Sequence, residues 1–260
     1  MKKIISTFVI LGTVFLIGCT KTTSDFSENF TTQPSDSRVF TQGIFVKNNQ
    51  IFLSSGAPNH LSDTHSSVGI LDKNGIFEPK FSLDPNIFFG EGITELNGKI
   101  YFVTWKNQKG FILGAQNFEK IGEFNYKNKE GWGLASDGEK IFMSDGTEKI
   151  TIFDENFNKI SEISVLENGK KINKINELEY IDGAIFANIW LTNDVVKIDP
   201  NSGKVLARWN FDFLKHQELQ ENPQAQEMNG IAFDKTKNQI VLTGKMWKNL
   251  YIFDADFSNK

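Results

Sequence analysis

The chain has 260 residues and a formal net charge of −4, and 39% of its residues are hydrophobic. This composition is typical of a globular protein that can bury a sizeable core, and it lacks the basic excess that nucleic-acid binding requires. One cysteine and three histidines exclude an intrachain disulfide and a thiolate-cluster metal site, and they leave little room for a histidine-rich zinc centre.

The charge and apolar pattern of residues 1–18 predicts a bacterial lipoprotein signal peptide. Two lysines follow Met1, and the apolar run over 4–17 is shorter than the roughly 20 residues of a membrane span. The run ends in Leu16-Ile17-Gly18-Cys19, which resembles a lipobox, and the only cysteine stands at the position that would be acylated. An uncleaved amphiphilic anchor with an inert cysteine is the alternative. We therefore expect an exported lipoprotein anchored to the cell envelope, on its periplasmic or extracellular face.

The segment that follows is rich in Thr and Ser, and it shows no apolar periodicity. This composition predicts a flexible tether over 19–38 and a single domain over 39–260. The sequence leaves open whether residues near 30–45 help to close that domain.

A pattern of a glycine, an apolar run, a polar turn and a second strand occurs five times in the domain. The isoleucines of the second strands are separated by 49, 41, 44 and 55 residues, and they are Ile51, Ile100, Ile141, Ile185 and Ile240. Asn-Gly and Asp-Gly pairs in three of the turns supply the positive φ that tight hairpins need. Further short strands follow each hairpin, so each unit holds about four strands, as propeller blades do.

The repeat predicts an all-β fold, namely a five-bladed β-propeller. A β-sandwich is the alternative, but a sandwich would not require a fivefold repeat. The longest gap between repeats holds the one helix-like segment, and we expect a short helical insertion near 213–226.

Two positions of the repeat carry dissimilar side chains, whereas the isoleucine is constant. The position nine residues before the isoleucine is called here the inner-strand column, and it contains Gln42, Glu91, Trp132 and Asn176. The fifth hairpin is two residues longer, and its equivalent residue is Asn229. Five residues after it lies the second-strand column, which contains Gly56, Trp105, Gly146, Trp190 and Lys245. Antiparallel pairing brings both columns to one mouth of the central channel. Two variable columns beside a constant core isoleucine indicate a functional site. The alternative is that both columns lie in surface loops whose residues vary freely.

Eight motifs in chain order, spread from about residue 38 to 254, resemble the plant and bacterial type of glutaminyl cyclase. They are Phe40-Thr-Gln-Gly43, Phe89-Gly-Glu-Gly-Ile-Thr94, Glu130-Gly-Trp-Gly-Leu134, Met143-Ser-Asp-Gly-Thr147, Asn176-Glu-Leu-Glu-Tyr180, Ala187-Asn-Ile-Trp190, Met228-Asn-Gly-Ile-Ala232 and Thr243-Gly-Lys-Met-Trp247. The resemblance implies a five-bladed propeller that cyclises N-terminal glutamine of peptides or proteins to pyroglutamate and releases ammonia. It also implies that no cofactor and no catalytic zinc is needed, unlike in the unrelated animal enzyme.

The resemblance carries the family's active-site residues onto nine positions, seven of which lie in the two columns. They are Phe40, Gln42, Phe89, Glu91, Trp105, Trp132, Asn176, Trp190 and Lys245. We expect Glu91 to act as base and then acid, with a pKa raised by desolvation. Gln42, Asn176, Lys245 and a Trp indole N–H are the candidate donors to the oxyanion. The five aromatic residues are expected to orient glutamine and exclude water.

Other interpretations of the same residues stay open. Glu91 alone is equally compatible with a strand-end carboxylate that accepts from backbone N–H groups. A non-catalytic lipoprotein that binds a partner, and a propeller hydrolase of the lactonase type, are alternative functions. The latter needs a channel cation with six to eight oxygen ligands, for which Glu91, Glu177 and Glu179 are few. A structural cation deeper in the channel is compatible with the sequence, whereas His60 and His65 lack an evident third ligand. We expect a monomer that contacts the membrane through its lipid.

Overall fold

The computed structural model describes residues 29–62 and 64–255, and it shows a five-bladed β-propeller. The predicted signal peptide and the lipidation site Cys19 lie outside the described residues. Among the described residues, no helix has the length and apolar character needed to cross a membrane.

Each blade is an antiparallel sheet of four strands, numbered here in chain order. The first eleven strands are β1 (Thr31–Pro34), β2 (Thr41–Lys47), β3 (Gln50–Ser55), β4 (Ser67–Leu71), β5 (Phe77–Ser82), β6 (Gly90–Leu96), β7 (Lys99–Thr104), β8 (Lys109–Gly114), β9 (Lys120–Asn125), β10 (Leu134–Ser136) and β11 (Ile141–Ser144). The others are β12 (Lys149–Phe153), β13 (Lys159–Ser164), β14 (Leu166–Glu167), β15 (Lys170–Lys171), β16 (Ile175–Ile181), β17 (Ala184–Ile189), β18 (Asp194–Ile198), β19 (Val205–Asn210), β20 (Met228–Asp234), β21 (Gln239–Gly244) and β22 (Asn249–Asp254).

The blades follow one another along the chain, with one exception that closes the ring. Blades 1 to 4 are β2 to β5, β6 to β9, β10 to β13 and β16 to β19, and β14 pairs with β15 in a small separate hairpin. Blade 5 has the order β1-β22-β21-β20, so its outermost strand comes from the N-terminal side of the chain.

The predicted tether over 19–38 is therefore wrong for its last part. Thr31 to Pro34 pair with Ile252 to Asn249 as an edge strand, and the propeller begins before the predicted boundary at residue 39. The segment has no apolar periodicity because an edge strand of an outer blade face buries little. Its backbone pairing, rather than burial, defines the strand.

The core is divided among the interfaces between blades. In the described part of the chain, five clusters of buried apolar side chains lie between neighbouring blades. One of them joins the first and last blades through Ile44, Leu53, Val241 and Leu250. Four of the five repeat isoleucines are completely buried, and each such side chain contributes about 1.5–3 kcal/mol to folding. The constant isoleucine therefore reports on packing between blades.

The helical insertion is present as α1 (Asp212–Glu221). It ends five residues earlier than predicted, because Pro223 disfavours helical backbone at the residue before it. Glu218 attaches the helix to blade 5, where it accepts hydrogen bonds from the backbone N–H of Lys248 and the hydroxyl of Tyr251 at 2.9 and 3.0 Å. Lys215 donates to the carbonyls of Ala225 and Gln226. The helix thus fixes the loop that leads into β20.

Candidate active site

One cavity at the mouth of the channel contains side chains from all five blades. Its volume is about 450 Å³. All nine residues predicted for the site line it, namely Phe40, Gln42, Phe89, Glu91, Trp105, Trp132, Asn176, Trp190 and Lys245. The loop from Ala57 to His60 and the pair Gln226 and Glu227 complete the lining. The expected convergence of the two columns is therefore present in the structure.

Irregularities in strand register place the inner-strand column. In four blades the innermost strand pair shifts register at its mouth end, between Thr41 and Gly43, Gly90 and Ile93, Ile175 and Leu178, and Met228 and Ile231. The residues within these shifts include Gln42, Glu91, Asn176 and Asn229. A β-bulge leaves a residue out of the ladder and redirects its side chain. The bulges explain how polar groups on buried strands avoid the interfaces between blades.

A backbone hydrogen bond repeated around the mouth places the second-strand column. In four blades the backbone N–H of the residue in the second-strand column donates a hydrogen bond of 2.9 Å. The acceptor is the carbonyl of the residue that lies two positions before the inner-strand column. The donor and acceptor pairs are Gly56 and Phe40, Trp105 and Phe89, Trp190 and Lys174, and Lys245 and Glu227. This bond defines a third variable position, which we call the leading position. Its occupants are Phe40, Phe89, Glu130, Lys174 and Glu227.

Two glycines of the second-strand column make room for aromatic rings of the site. A Cβ on Gly56 would lie 2.5 Å from the ring of Phe89, and a Cβ on Gly146 would lie 2.5 Å from the ring of Trp132. Gly146 also has a φ of +77°, which side-chain-bearing residues rarely adopt. At Gly56 and Gly146 the second-strand column therefore has no side chain, because Phe89 and Trp132 fill the space. At Trp105 and Trp190 the column supplies the ring itself.

Glu91 and Lys245 are the two buried charged groups of the cavity, exposed by only 6% and 5%. Burial raises the pKa of Glu91 well above its ordinary range; the charge of Lys245 opposes this and that of Glu130 adds to it. Burial lowers the pKa of Lys245, and Glu91 and Glu227 oppose that shift. Because neither head group forms a hydrogen bond with another described residue, both are available to a ligand. The nearest carboxylate oxygen to the Lys245 Nζ belongs to Glu227, at 3.9 Å.

The aromatic side chains form two edge-to-face groups on the cavity wall. The rings of Trp132 and Trp190 are 5.4 Å apart and nearly perpendicular. Phe89 packs edge-on against Trp105 at 5.7 Å and against Phe40 at 6.4 Å. Such geometry contributes about 0.5–1.5 kcal/mol per pair beyond the area that the rings bury. These contacts fix the wall before any ligand enters.

Hydrogen-bond donors at the cavity differ in what already occupies them. The indole N–H groups of Trp105 and Trp132 both donate to Glu130, whereas that of Trp190 has no acceptor among the described residues. Asn229 donates to Gln42 Oε1 at 3.4 Å. The Oδ1 atom of Asn176 is buried and has no hydrogen-bond partner within the described chain.

Glu177 lies behind the cavity and directly follows the inner-strand column, at a position where the other four blades have glycine. It is completely buried, and its two carboxylate oxygens accept from the backbone N–H groups of Ile231 at 2.8 Å and Ile44 at 3.3 Å. Burial raises the pKa of Glu177 well above its ordinary range. Because it bridges blades 4, 5 and 1, Glu177 is a structural element of the ring.

Comparison with known proteins adds to this geometry. The sequence profile of a family described as glutamine cyclotransferase matches residues 18–254. The chain belongs to this family. It is 34% identical over 222 residues to the glutaminyl-peptide cyclotransferase of Arabidopsis thaliana, a match that covers 84% of this chain and 68% of the relative. The fold is similar to the crystal structure of Myxococcus xanthus glutaminyl cyclase, with a TM-score of 0.75, 28% sequence identity, and coverage of 86% and 94% of the two chains.

Membership of the glutamine cyclotransferase family makes the chain an enzyme of the acyltransferase class. It does not favour the alternative of a non-catalytic binding module. In the described residues there is no group of three or more His, Cys, Asp and Glu side chains arranged to hold a metal ion. The prediction that the chain needs no cofactor stays a prediction.

The columns did not reveal Glu130 and Glu227. Glu130 accepts hydrogen bonds from two tryptophans of the cavity wall. Both carboxylates occupy the leading position, which also holds Phe40 and Phe89. Alignment of the repeats at that position would have indicated all four residues, because it too varies from blade to blade.

Proposed function

We propose that the protein is a glutaminyl-peptide cyclotransferase, which converts the N-terminal glutamine of peptides or proteins to pyroglutamate with release of ammonia. The observation that carries this proposal is Glu91: a buried carboxylate in an aromatic cavity, with a raised pKa and no hydrogen-bond partner among the described residues. Family membership supports the same activity.

In the proposed reaction the substrate's α-amine attacks the Cδ atom of its own side-chain amide. A C–N bond forms and closes a five-membered ring, and the amide oxygen becomes a tetrahedral oxyanion. The attacking amine gives a proton to Glu91, and Glu91 returns it to the amide nitrogen. The C–N bond to that nitrogen then breaks, the carbonyl reforms and ammonia leaves. One carboxylate performs both transfers in turn, so its raised pKa suits it to either role.

The oxyanion needs donors that are not already occupied. The ammonium of Lys245 and the indole N–H of Trp190 meet this requirement in the described chain, and the amide groups of Gln42 and Asn176 are further candidates. A preorganised donor of this kind typically contributes a factor of about 10²–10³ in rate. A positive charge on Lys245 also opposes the rise in the pKa of Glu91, which favours the carboxylate before it accepts the proton.

The aromatic wall would hold glutamine in a folded conformer. Because nucleophile and electrophile belong to one molecule, the enzyme gains most from restricting that conformer. Phe40, Phe89, Trp105, Trp132 and Trp190 would also exclude water, whose attack on the same carbon would give glutamate.

The proposed activity is tested by incubating the protein with a peptide that begins with glutamine and measuring ammonia together with the loss of one ammonia from the peptide mass. The matched control is the same peptide with an acetylated N-terminus, which lacks the nucleophile. We expect turnover of the free peptide only. Turnover of neither peptide would contradict the proposal. Prior dialysis against a chelator should leave the rate unchanged, and a loss that zinc restores would contradict a metal-free mechanism.

We also propose that Cys19 is acylated and anchors the protein to the cell envelope. The register of β1 is compatible with such an anchor: Thr31 pairs with Ile252 and Pro34 with Asn249, so the chain enters blade 5 at the end remote from the cavity and runs toward the mouth. An anchor on the N-terminal side would therefore leave the mouth accessible. In cells, globomycin and a Cys19→Ser substitution should each prevent processing of the protein. Processing that neither change affects would contradict the proposal.

Two smaller expectations belong to the same proposal. We propose a monomer, which light scattering during size-exclusion chromatography would test. A structural cation in the channel would require oxygen ligands, and Asn176 Oδ1 and Asn229 Oδ1 are buried there without partners in the described chain. Elemental analysis of the purified protein would detect such an ion.

A further inference from the structure

Glu130 connects two walls of the cavity through one atom. Its Oε2 accepts hydrogen bonds from the indole Nε1 of Trp105 at 2.7 Å and of Trp132 at 2.8 Å. Trp105 follows β7 in blade 2 and Trp132 precedes β10 in blade 3, so the carboxylate joins neighbouring blades. Both distances are short for N–H donors, as expected when the acceptor is charged.

The surroundings of Glu130 hold the carboxylate in this position. The N–H of Gly131 donates to the carbonyl of Trp105 at 2.9 Å, which fixes the backbone next to Glu130. The Nζ atom of Lys106 lies 3.6 Å from the centroid of the Trp105 ring and 3.9 Å from Glu130 Oε1. Trp105 is thus constrained at its N–H by a carboxylate and over its face by an ammonium.

The two hydrogen bonds determine what the indoles offer to a ligand. An indole has a single donor, and for Trp105 and Trp132 Glu130 occupies that donor. These two rings can therefore present only their aromatic surface, whereas the N–H of Trp190 has no acceptor among the described residues. Without Glu130, both rings would carry an unpaired donor, and only their contacts with neighbouring rings would oppose turning it toward the reacting amide.

We propose that Glu130 is a positioning residue of the cyclisation reaction, which fixes the Trp105 and Trp132 indoles as apolar walls and keeps their N–H groups away from the substrate. This inference rests on the proposed function of the same cavity. Glu130 itself does not line the cavity, so it would act through the two rings and through its charge.

The charge has a separate and measurable consequence. The titratable groups that face Glu91 are Lys245 from the loop after β21, Glu130 from the loop before β10, and the hydroxyl of Tyr126 after β9. Glu130 is the neighbour whose charge raises the pKa of Glu91. Removing that charge while retaining the acceptor should lower this pKa and move the acid limb of the pH–rate profile to lower pH.

Three variants separate these effects. Glu130→Ala removes the acceptor and the charge, and we expect kcat/KM to fall roughly 10- to 100-fold, because displacement of a positioned group by about 1 Å can cost about 10²-fold in rate. Glu130→Gln keeps an amide oxygen that can accept both indoles, and it should restore kcat/KM to within about fivefold of wild type with a lower acid limb. Glu139→Gln, a charge loss of the same kind on an exposed turn of blade 3, should match wild type.

The hydrogen bonds themselves are visible without any turnover. In protein labelled with ¹⁵N-tryptophan, the indole N–H signals of Trp105 and Trp132 should lie downfield and exchange slowly. In Glu130→Ala both signals should move upfield and exchange faster, while that of Trp247, which donates to the Gln226 carbonyl at 2.9 Å, stays in place. Single Trp→Phe variants assign the signals.

The outcomes are distinguishable from failure of the proposed function. If the wild-type protein turns over no glutamine peptide, the proposed function is wrong, and the indole signals still decide whether Glu130 holds the rings. If turnover occurs, wild-type kcat/KM in Glu130→Ala, equal impairment of the Ala and Gln variants, or unchanged indole signals in Glu130→Ala would each overturn the positioning role. An unchanged acid limb in Glu130→Gln would overturn its electrostatic part.

Discussion

Substitution of Gly56 by alanine tests whether Phe89 must stay where the structure places it. The added Cβ would lie 2.5 Å from one ring carbon of Phe89 and 2.6 Å from another, whereas ordinary carbon–carbon contacts are about 3.5–4.0 Å. The ring must therefore move by about 1 Å. Phe89 is in edge contact with Trp105 and Phe40, so the displacement reaches the cavity.

A displacement of this size in a positioned group can reduce the rate by about 10²-fold, and overpacking typically costs about 1–3 kcal/mol of stability. We expect Gly56→Ala to lower kcat/KM for a glutamine peptide by roughly 10- to 100-fold while the protein stays folded. The assay is initial-rate ammonia release, with the circular dichroism spectrum and melting temperature measured on the same samples.

Gly122→Ala is the matched control, because a Cβ there would lie 3.5 Å from its nearest neighbour, an ordinary contact. It should retain wild-type kinetics. Adding Gly56→Ala to Phe89→Leu should cost less than it costs in the wild type, because the shorter side chain no longer meets the Cβ. Wild-type kinetics in a folded Gly56→Ala protein would refute the inferred packing of Phe89.

Three further predictions concern Lys245, Glu179 and the closure of the ring. Lys245→Met removes a buried positive charge that lowers the pKa of Glu91; kcat should fall about 10²–10³-fold and the acid limb of the pH–rate profile should move to higher pH. Burial raises the pKa of Glu179 from 4.5 to about 8. Between these values the folded protein keeps Glu179 protonated while the unfolded chain releases the proton, so the free energy of unfolding decreases as pH rises. The melting temperature of Glu179→Gln should therefore fall less than that of the wild type between about pH 5 and 8. A chain that starts at residue 36 lacks β1 and its four paired residues; its melting temperature, measured by calorimetry, should be about 5–10 °C below that of a chain that starts at residue 29.

The fold was predictable because one interaction recurs. The repeat isoleucines pack between blades, and a packing position tolerates little change, so the period remains visible in the sequence. The helix in the gap before the fifth repeat was visible for the converse reason, since it interrupts that period. The closing strand β1 was not, because its four residues are held by backbone pairing to β22 and carry no apolar pattern.

The site was predictable to the extent that it follows the same period. Glu91 and Asn176 share a repeat position, and both lie within register shifts that the sequence does not display but that occur at the same place in four of the five blades. The shared acceptance of two indoles by Glu130 could not be inferred, because its bond to Trp105 connects loops of different blades. Residue types alone could not give the contact of Gly56 with Phe89, which depends on the distance between neighbouring blades.

The central claim is that Glu91 transfers the proton from the attacking amine to the departing ammonia. The most direct measurement is kcat for a glutamine peptide in Glu91→Gln, a variant of the same size that cannot accept the proton, with folding confirmed by circular dichroism. We expect a loss of about 10²–10⁴-fold, the range for general acid–base groups, with little change in melting temperature. A folded Glu91→Gln protein with a kcat near that of the wild type would contradict the mechanism.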